Sequence, residues 1–429
     1  MIFSLSWKNI WRNKVRSLVV IIAVSLGLFG GTFSNGLMNG MTTRRVNSAI
    51  ENEVSHIQIH SPEFLENPEI GYAIDNSDEL INEIEKNSDV IAVSKRMKIN
   101  SMARTSAAAT GVVIIGIYPE KEKEVTGLYN KICDSTNMFL TDVKPSHEEV
   151  QKFVRDSCGT YFENARKNTI VIGRKLAKKL KVKVRSKIVL TFQTIDGSLS
   201  GAAFRIGGIF KTSNSLFDET TVFVNKGDLI SLTGFDVNKA HEIAIKLNPE
   251  ADASVIAKDL QSKYPELAIR DWKEVQPDLG LMTEMMGMMM YLIIVIILLA
   301  LAFAIVNTML MVVLERTKEI GMLMAIGMGK LRVFKMIMFE TVMLSITGGI
   351  IGMFISWGAI ELFKDKGINL SSYAEGFEAY GIESVLYPEL GIDVYIGTTI
   401  LVIIAGIIAS LYPAVKALKL NPSNALRTE

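Results

Sequence analysis

The chain has 429 residues, and 46 lysines and arginines against 45 aspartates and glutamates leave a net charge of only +1. So balanced a charge supplies no long-range field for nucleic acid, and a nucleic-acid partner is not expected. Apolar types make up 49% of the chain, and they are gathered into a few long runs rather than spread evenly.

In chain order, residues 1–16 come first, with Phe3, Trp7, Ile10 and Trp11 on one helical face and Lys8 and Arg12 elsewhere. That pattern suits a helix lying in a membrane interface, either as a plain anchor or as a mechanical link. The charge-free run 17–43 follows. At 1.5 Å per residue it can cross a ~30 Å hydrocarbon core. It exceeds a signal-peptide core and lacks a small-x-small cleavage site, so it is expected to be retained.

Residues 44–284 are polar and mixed in charge, enough for an independent core. Val54, Ile57 and Ile59 alternate as a strand, Asp78–Lys86 is helix-like, and Val90, Ile91 and Val93 resume a strand. Near the far end Ile243, Ile245 and Leu247 alternate, Pro249 and Glu250 open a helix over Ala251–Lys263, and Leu267–Trp272 is strand-like. These two β-α-β units predict an α+β lobe built from the domain's ends, with a β-rich lobe inserted between them. Strands at Val112–Ile117, Ile188–Ile195 and Ala203–Phe210 belong to that insert, with Asp196-Gly197 as a tight hairpin turn. The polar excursion 130–160 is bracketed by Cys133 and Cys158. Either a disulfide closes its base or the two are unrelated, partly buried thiols.

Further spans are predicted at 285–314, within 336–361 and at 393–415, joined by 315–335 and 362–392 and followed by a tail, 416–429. Basic residues dominate 1–16, 315–335 and the tail, while 362–392 is acidic. The positive-inside bias therefore places both termini and 315–335 in the cytoplasm and the large domain outside. Met285, Met286 and Met289, with their neighbours, crowd the start of the second span as an adaptable apolar surface. That surface suits acyl chains or a loosely packed entry. Gly27/Gly31, Gly36/Gly40 and Gly348/Gly352 permit close helix approach, within one subunit or between two. Asn307 and Glu340 are intramembrane polar groups for which interhelical hydrogen bonds are expected. His56 and His60 are four apart, but no further ligand completes a metal set, and no nucleophile–base pair stands out. No catalytic residue, metal or cofactor is expected on this chain.

The segment Glu315–Lys330 carries the sharpest pattern. Ile320, Leu323 and Met324 form an apolar stripe, Glu315, Lys318 and Glu319 a charged one, and Gly327 or Gly329 ends the helix. Periodicity alone leaves open a helix that receives a push from a soluble partner and a connector that covers helix ends.

Glu315-Arg316-Thr317-Lys318-Glu319-Ile320-Gly321 through Leu323 to Gly327 closely resembles the signature of ABC-transporter permeases of the FtsX-like, MacB-like and lipoprotein-releasing group. Trp11-Arg12-Asn13 resembles the group's N-terminal motif, and Tyr412-Pro413-Ala414 with Asn421-Pro422 and Leu426-Arg427 resembles its ending. The resemblance implies a four-helix membrane protein of the bacterial inner membrane with a MacB-like periplasmic core. It implies that 315–327 is a coupling helix seated on an ATPase subunit that binds the ATP and magnesium. It further implies a second permease subunit, identical or not, and points to lipoprotein extraction with a periplasmic carrier. Peptide or drug export and signalling to a cell-wall hydrolase are the other uses of the group. Gly327-Met328-Gly329-Lys330 is no phosphate loop, because Met324 stands where the first glycine belongs and Leu331 where the hydroxyl belongs. The ATPase is therefore expected in trans.

Overall fold

Long charge-free runs have no way to satisfy their backbone in lipid except as helices, and among the described residues four helices are long and apolar enough to cross a membrane. They are Ser17–Val54, Pro277–Glu315, Lys330–Lys366 and Ile392–Leu418. The computed structural model describes residues 11, 12, 14–132, 158–162, 166–373, 376, 377 and 381–418. The expected interfacial helix over residues 1–10, the excursion with Cys133, and the tail beyond 418 lie outside them. Cys158 is described and is not a free thiol.

The chain divides into two units. One gathers the membrane helices (1–42, 283–370 and 385–429) and the other is a sheet domain (43–282 with 371–384).

In the membrane unit the small residues act within the chain. A Cβ on Gly27 or Gly31 would lie 2.8 or 2.6 Å from Leu301 or Ile297, so glycine lets the first and second helices touch. Gly348 and Gly352 do the same for the third helix against Val24 and Ser25 of the first, where Ser25 Oγ donates to the Gly348 carbonyl at 2.9 Å. Gly36 meets Ile360, and Gly40 lies against the Tyr387 carbonyl. Asn307, for which an interhelical hydrogen bond is expected, is exposed on the second helix of this chain. That helix buries a stripe through Leu301, Ile305, Met309 and Val313 and little else.

Among the described residues the sheet domain is built on nine strands: β1 (Ile57–His60), β2 (Val90–Arg104), β3 (Ala109–Ile117), β4 (Thr169–Gly173), β5 (Lys187–Gln193), β6 (Leu199–Phe210), β7 (Thr221–Asn225), β8 (Glu242–Leu247) and β9 (Ala268–Asp271). Their order is β3-β7-β4-β6-β5-β2-β8-β1-β9. The two end units interlock, because β8 lies between β1 and β2 while β1 lies between β8 and β9, all antiparallel. The inserted strands do not form a separate sheet. β2 has 15 residues, pairing with β8 through its first part and with β3 and β5 through its second. The two largest hydrophobic clusters of the domain lie around Ile57, Ile245 and Leu260 and around Ile114, Phe192 and Phe204. The helix after β8 opens at Ala253 with Asp252 as its cap, its side chain accepting from Ser254 N and Val255 N. Pro249 and Glu250 lie before it. The β5–β6 connection is wider than a two-residue turn, since the ladder stops at Gln193 and Leu199.

Charge is buried at the join between the two clusters. Arg96 on β2 is 2% exposed and reaches Glu122 and Glu242, both at 2.6 Å, while Lys98 also pairs with Glu242. Burial opposes these charges, yet the two carboxylates hold the Arg96 pKa above its ordinary value. Despite its own burial, Lys98 and Arg96 bring Glu242 down to about 2. His241 lies against Phe64 and Phe235, at ring distances of 4.7 and 4.6 Å. Its Nδ1 accepts from Lys98 N at 3.0 Å and its Nε2 faces the Ile70 carbonyl at 3.0 Å, so the ring is neutral with the proton on Nε2. Burial lowers His241 and His60 to about 4. The folded domain thus takes up these protons later than the unfolded chain does. Stability is present above the unfolded value near 6.5 and is lost as pH falls from there toward 4, by about 3 kcal/mol per histidine. Urea unfolding of the purified protein is expected to show this loss between pH 7 and 4.5, and a midpoint flat across that window would contradict it.

Candidate coupling site

The helix Thr317–Ala325 joins the second membrane helix to the third and is followed by Gly327, whose φ of +102° suits a residue without a Cβ. An ion-pair chain fixes its orientation. Arg12 Nη2, at the start of the first membrane helix, lies 2.6 and 2.5 Å from the two Glu319 oxygens. Arg316 Nε donates to Glu319 Oε2 at 2.9 Å, and its Nη1 lies 3.4 Å from both oxygens of Glu340 on the third helix. These side chains line a polar cavity of about 280 Å³ with Ser17, Thr308 and Glu315. Arg12, then Arg316, holds the Glu319 carboxyl below the ordinary carboxylate range. Arg12 and Glu319 are half exposed, so that contact is worth at most about 1 kcal/mol. Glu340 is 5% exposed and pairs with Arg316. Losing either would strand a buried charge, so Arg316 is the rigid centre of the chain.

This arrangement corrects the partner-facing assignment. Ile320 is 3% exposed and packs with Val333, Ile337 and Ala414, and Gly321 is buried beside it. Leu323 is half-buried, and Glu319 is occupied within the chain. The outward residues are Met322 (51% exposed), Ile326 (79%) and, past the turn, Leu331 (66%), with Lys318, Lys330 and Arg332 around them. From Ile320 to Ile326 the helix carries no polar side chain, so the 3.6-residue period could not say which of its apolar residues turn inward. Arg12 and Glu340 were visible as a motif residue and an intramembrane acid, but nothing in the spacing joined them to Glu319. Glu315 and Gly327 are exposed as well, and Met285 and Met289 stand outward on the second helix.

The described histidines, His56, His60 and His241, are held in hydrogen bonds to their own domain. His60 Nδ1 faces the His241 carbonyl and Nε2 faces Gln58 Oε1, both at 2.9 Å, and His56 Nδ1 accepts from Leu247 N.

Against known proteins, the MacB-like periplasmic core domain family matches residues 17–263, more than half of the chain, and the FtsX-like permease C-terminal family matches residues 291–422. The chain belongs to this family of ABC-transporter permeases. The permease is 26% identical over 252 residues to an uncharacterized ABC transporter permease, YvrN, of Bacillus subtilis (54% of this chain, 56% of that one). It is 37% identical over 161 residues to the macrolide export ATP-binding/permease protein MacB of Chlorobium phaeobacteroides (38% and 22%). It is 23% identical over 386 residues to the lipoprotein-releasing system transmembrane protein LolC of Neisseria meningitidis (84% of each). The matched part thus spans little more than half of the first relative and about a fifth of the second. The solved periplasmic region of MacB from Actinobacillus actinomycetemcomitans aligns at a TM-score of 0.30 with 11% identity, covering 52% of the permease and 92% of that chain. The permease is membrane-embedded through four apolar helices and carries an extracytoplasmic-type α+β domain.

Proposed function

We propose that the permease, itself without catalytic residues or a bound cofactor, couples ATP hydrolysis on a separate ATPase chain to movement of its external domain. In this scheme it extracts lipoproteins from the bacterial inner membrane for a periplasmic carrier. ATP and magnesium sit on the ATPase. Both termini and the Thr317–Ala325 helix are cytoplasmic, and the ATPase docks on Met322, Ile326 and Leu331. The observation that carries this is the Arg12–Glu319–Arg316–Glu340 chain. It ties a short exposed helix to three membrane helices, so that a push on its outer face is delivered to all three. A second permease subunit is supported by the second membrane helix, of whose most apolar stretch only 11% is buried against 44% for the first and third, and by outward-facing Asn307. An amide facing lipid without a partner is costly. Lipoprotein as cargo is supported by the LolC relative, whose similarity extends over 84% of both chains, whereas the MacB match covers 22% of that protein. MacB-like export and FtsX-like signalling are less well supported.

Two measurements test this. Single cysteines in 318–330 should be shielded from impermeant reagents in intact cells, while ones in 383–390 react. The reverse pattern would remove the orientation and the docking role with it. In proteoliposomes holding the permease and its co-purified ATPase, a triacylated lipoprotein should raise ATP hydrolysis. Stimulation by macrolide or peptide but not by lipoprotein would move the assignment to export.

A further inference from the structure

The carboxylate of Glu53 lies where the chain enters and leaves the sheet domain. The helix Lys14–Ala49 passes into a five-residue π-helical turn, Ile50–Val54, which ends at Ser55 with φ 67° and ψ −178°. That backbone region is close to glycine-only, and π turns are concentrated at functional sites. Ser55 is held there by its N–H donating to the Ile50 carbonyl and its Oγ donating to the Ile245 carbonyl, each at 2.9 Å.

Glu53, whose side chain is 1% exposed, accepts three hydrogen bonds. Arg45 Nη1 donates to Oε1 at 2.9 Å. Asn214 Nδ2 and Gln276 Nε2 donate to Oε2 at 2.8 and 3.3 Å. Gln276 directly precedes Pro277, where the second membrane helix begins. Asn214 caps the helix Ser215–Thr220. Arg45 in turn packs against Gly381 (φ +72°), where an added Cβ would collide with the guanidinium. Gly381 belongs to the connection between the third and fourth membrane helices. One buried carboxylate and its arginine therefore gather the end of the first span, the start of the second, the connection between the third and fourth, and a loop of the domain. A buried charge is dearly held, and here it coincides with a strained backbone. A side chain serving only to stabilise the sheet would need neither.

We propose that Glu53 is a positioning residue that makes these connections move as one body, so that displacement of the first helix reaches the domain and the second helix together. This rests on the ATP-coupled permease function proposed above. The test uses the full chain in nanodiscs with its co-purified ATPase, the variants Glu53→Gln and Gln276→Ala, and hydrogen–deuterium exchange with and without ATP plus vanadate. In the wild type, ATP plus vanadate should change exchange in 45–55, 213–216, 272–280 and 381–384 together. In Glu53→Gln that response should fall about tenfold in 213–216 and 272–280, a loss typical of broken site–site coupling. Strands β1–β9 should keep their protection, and basal ATP hydrolysis should stay within about twofold. Gln276→Ala, which cuts one tie, should lose the response in 272–280 alone. A wild-type nucleotide response in Glu53→Gln would overturn the proposal. So would loss of protection throughout the sheet in Glu53→Gln together with an unchanged response in Gln276→Ala, because Glu53 would then be structural only. A wild-type permease that retains no ATPase would instead remove the coupling function, and this inference with it.

Discussion

Ile326→Asp should strip the ATPase from the purified permease while leaving the membrane unit folded. Ile326 is 79% exposed at the end of a helix whose other side is anchored by Ile320 and the Glu319 ion pairs. A carboxylate there costs the isolated chain no more than about 0.5 kcal/mol. Inside an apolar docking contact it should cost about 3 kcal/mol, near a hundredfold in affinity. Met322→Asp, one helical turn away, should act in the same direction. Ile320→Asp should behave differently and damage folding, because Ile320 is 3% exposed among Val333, Ile337 and Ala414. The measurement is the amount of ATPase retained on affinity-tagged permease in detergent, with size-exclusion profiles reporting on folding. Wild-type retention in both Met322→Asp and Ile326→Asp would mean that the ATPase docks elsewhere.

Arg96→Leu should be the most destabilising single change in the sheet domain. It removes the arginine that pairs with both Glu122 and Glu242, leaving Lys98 beside Glu242, and both carboxylates are fully buried. Breaking a buried pair costs about 3–5 kcal/mol, a large share of the 5–15 kcal/mol available to a typical domain. At about 2–4 °C per kcal/mol for a domain this size, the melting temperature should fall by roughly 10 °C. Arg96→Leu combined with Glu122→Leu should regain part of the loss, because one stranded carboxylate is removed with its partner. Differential scanning calorimetry of the full chain reads both variants, and a shift under about 2 °C for Arg96→Leu would show that water reaches the site.

The membrane helices and the end units of the sheet could be seen in the sequence because each is local. A charge-free run needs no partner to be recognised, and β1, β2, β8 and β9 announce themselves by alternation on either side of a helix. The strand order could not be read, since β2 must pair over separations that no period encodes. β4 and β7 are short, five residues each, and their apolar stretches have no polar alternation to mark a face. The coupling helix could be located from its motif, but its inward face could not, because Met322 and Ile326 are as apolar as Ile320 and Leu323. The charge networks were hidden for the same reason as the strand order. Arg96 finds Glu242 across 146 positions and Arg12 finds Glu319 across 307. Glu53 gave no sequence signal at all, being one acid among several after a long apolar run.

The glycine contact between the first two membrane helices has a geometric consequence. Gly27 meets Leu301 and Gly31 meets Ile297, so two antiparallel helices touch most closely through residues spaced four apart on each. Such pairs cross at an angle instead of running side by side, which makes Gly27–Gly31 a fulcrum. From its midpoint the helix extends to Lys14 on one side and Ala49 on the other, arms of about 22 and 30 Å at 1.5 Å per residue. Any tilt about that fulcrum therefore sweeps the Ala49 end of the helix through a longer arc than the Lys14 end.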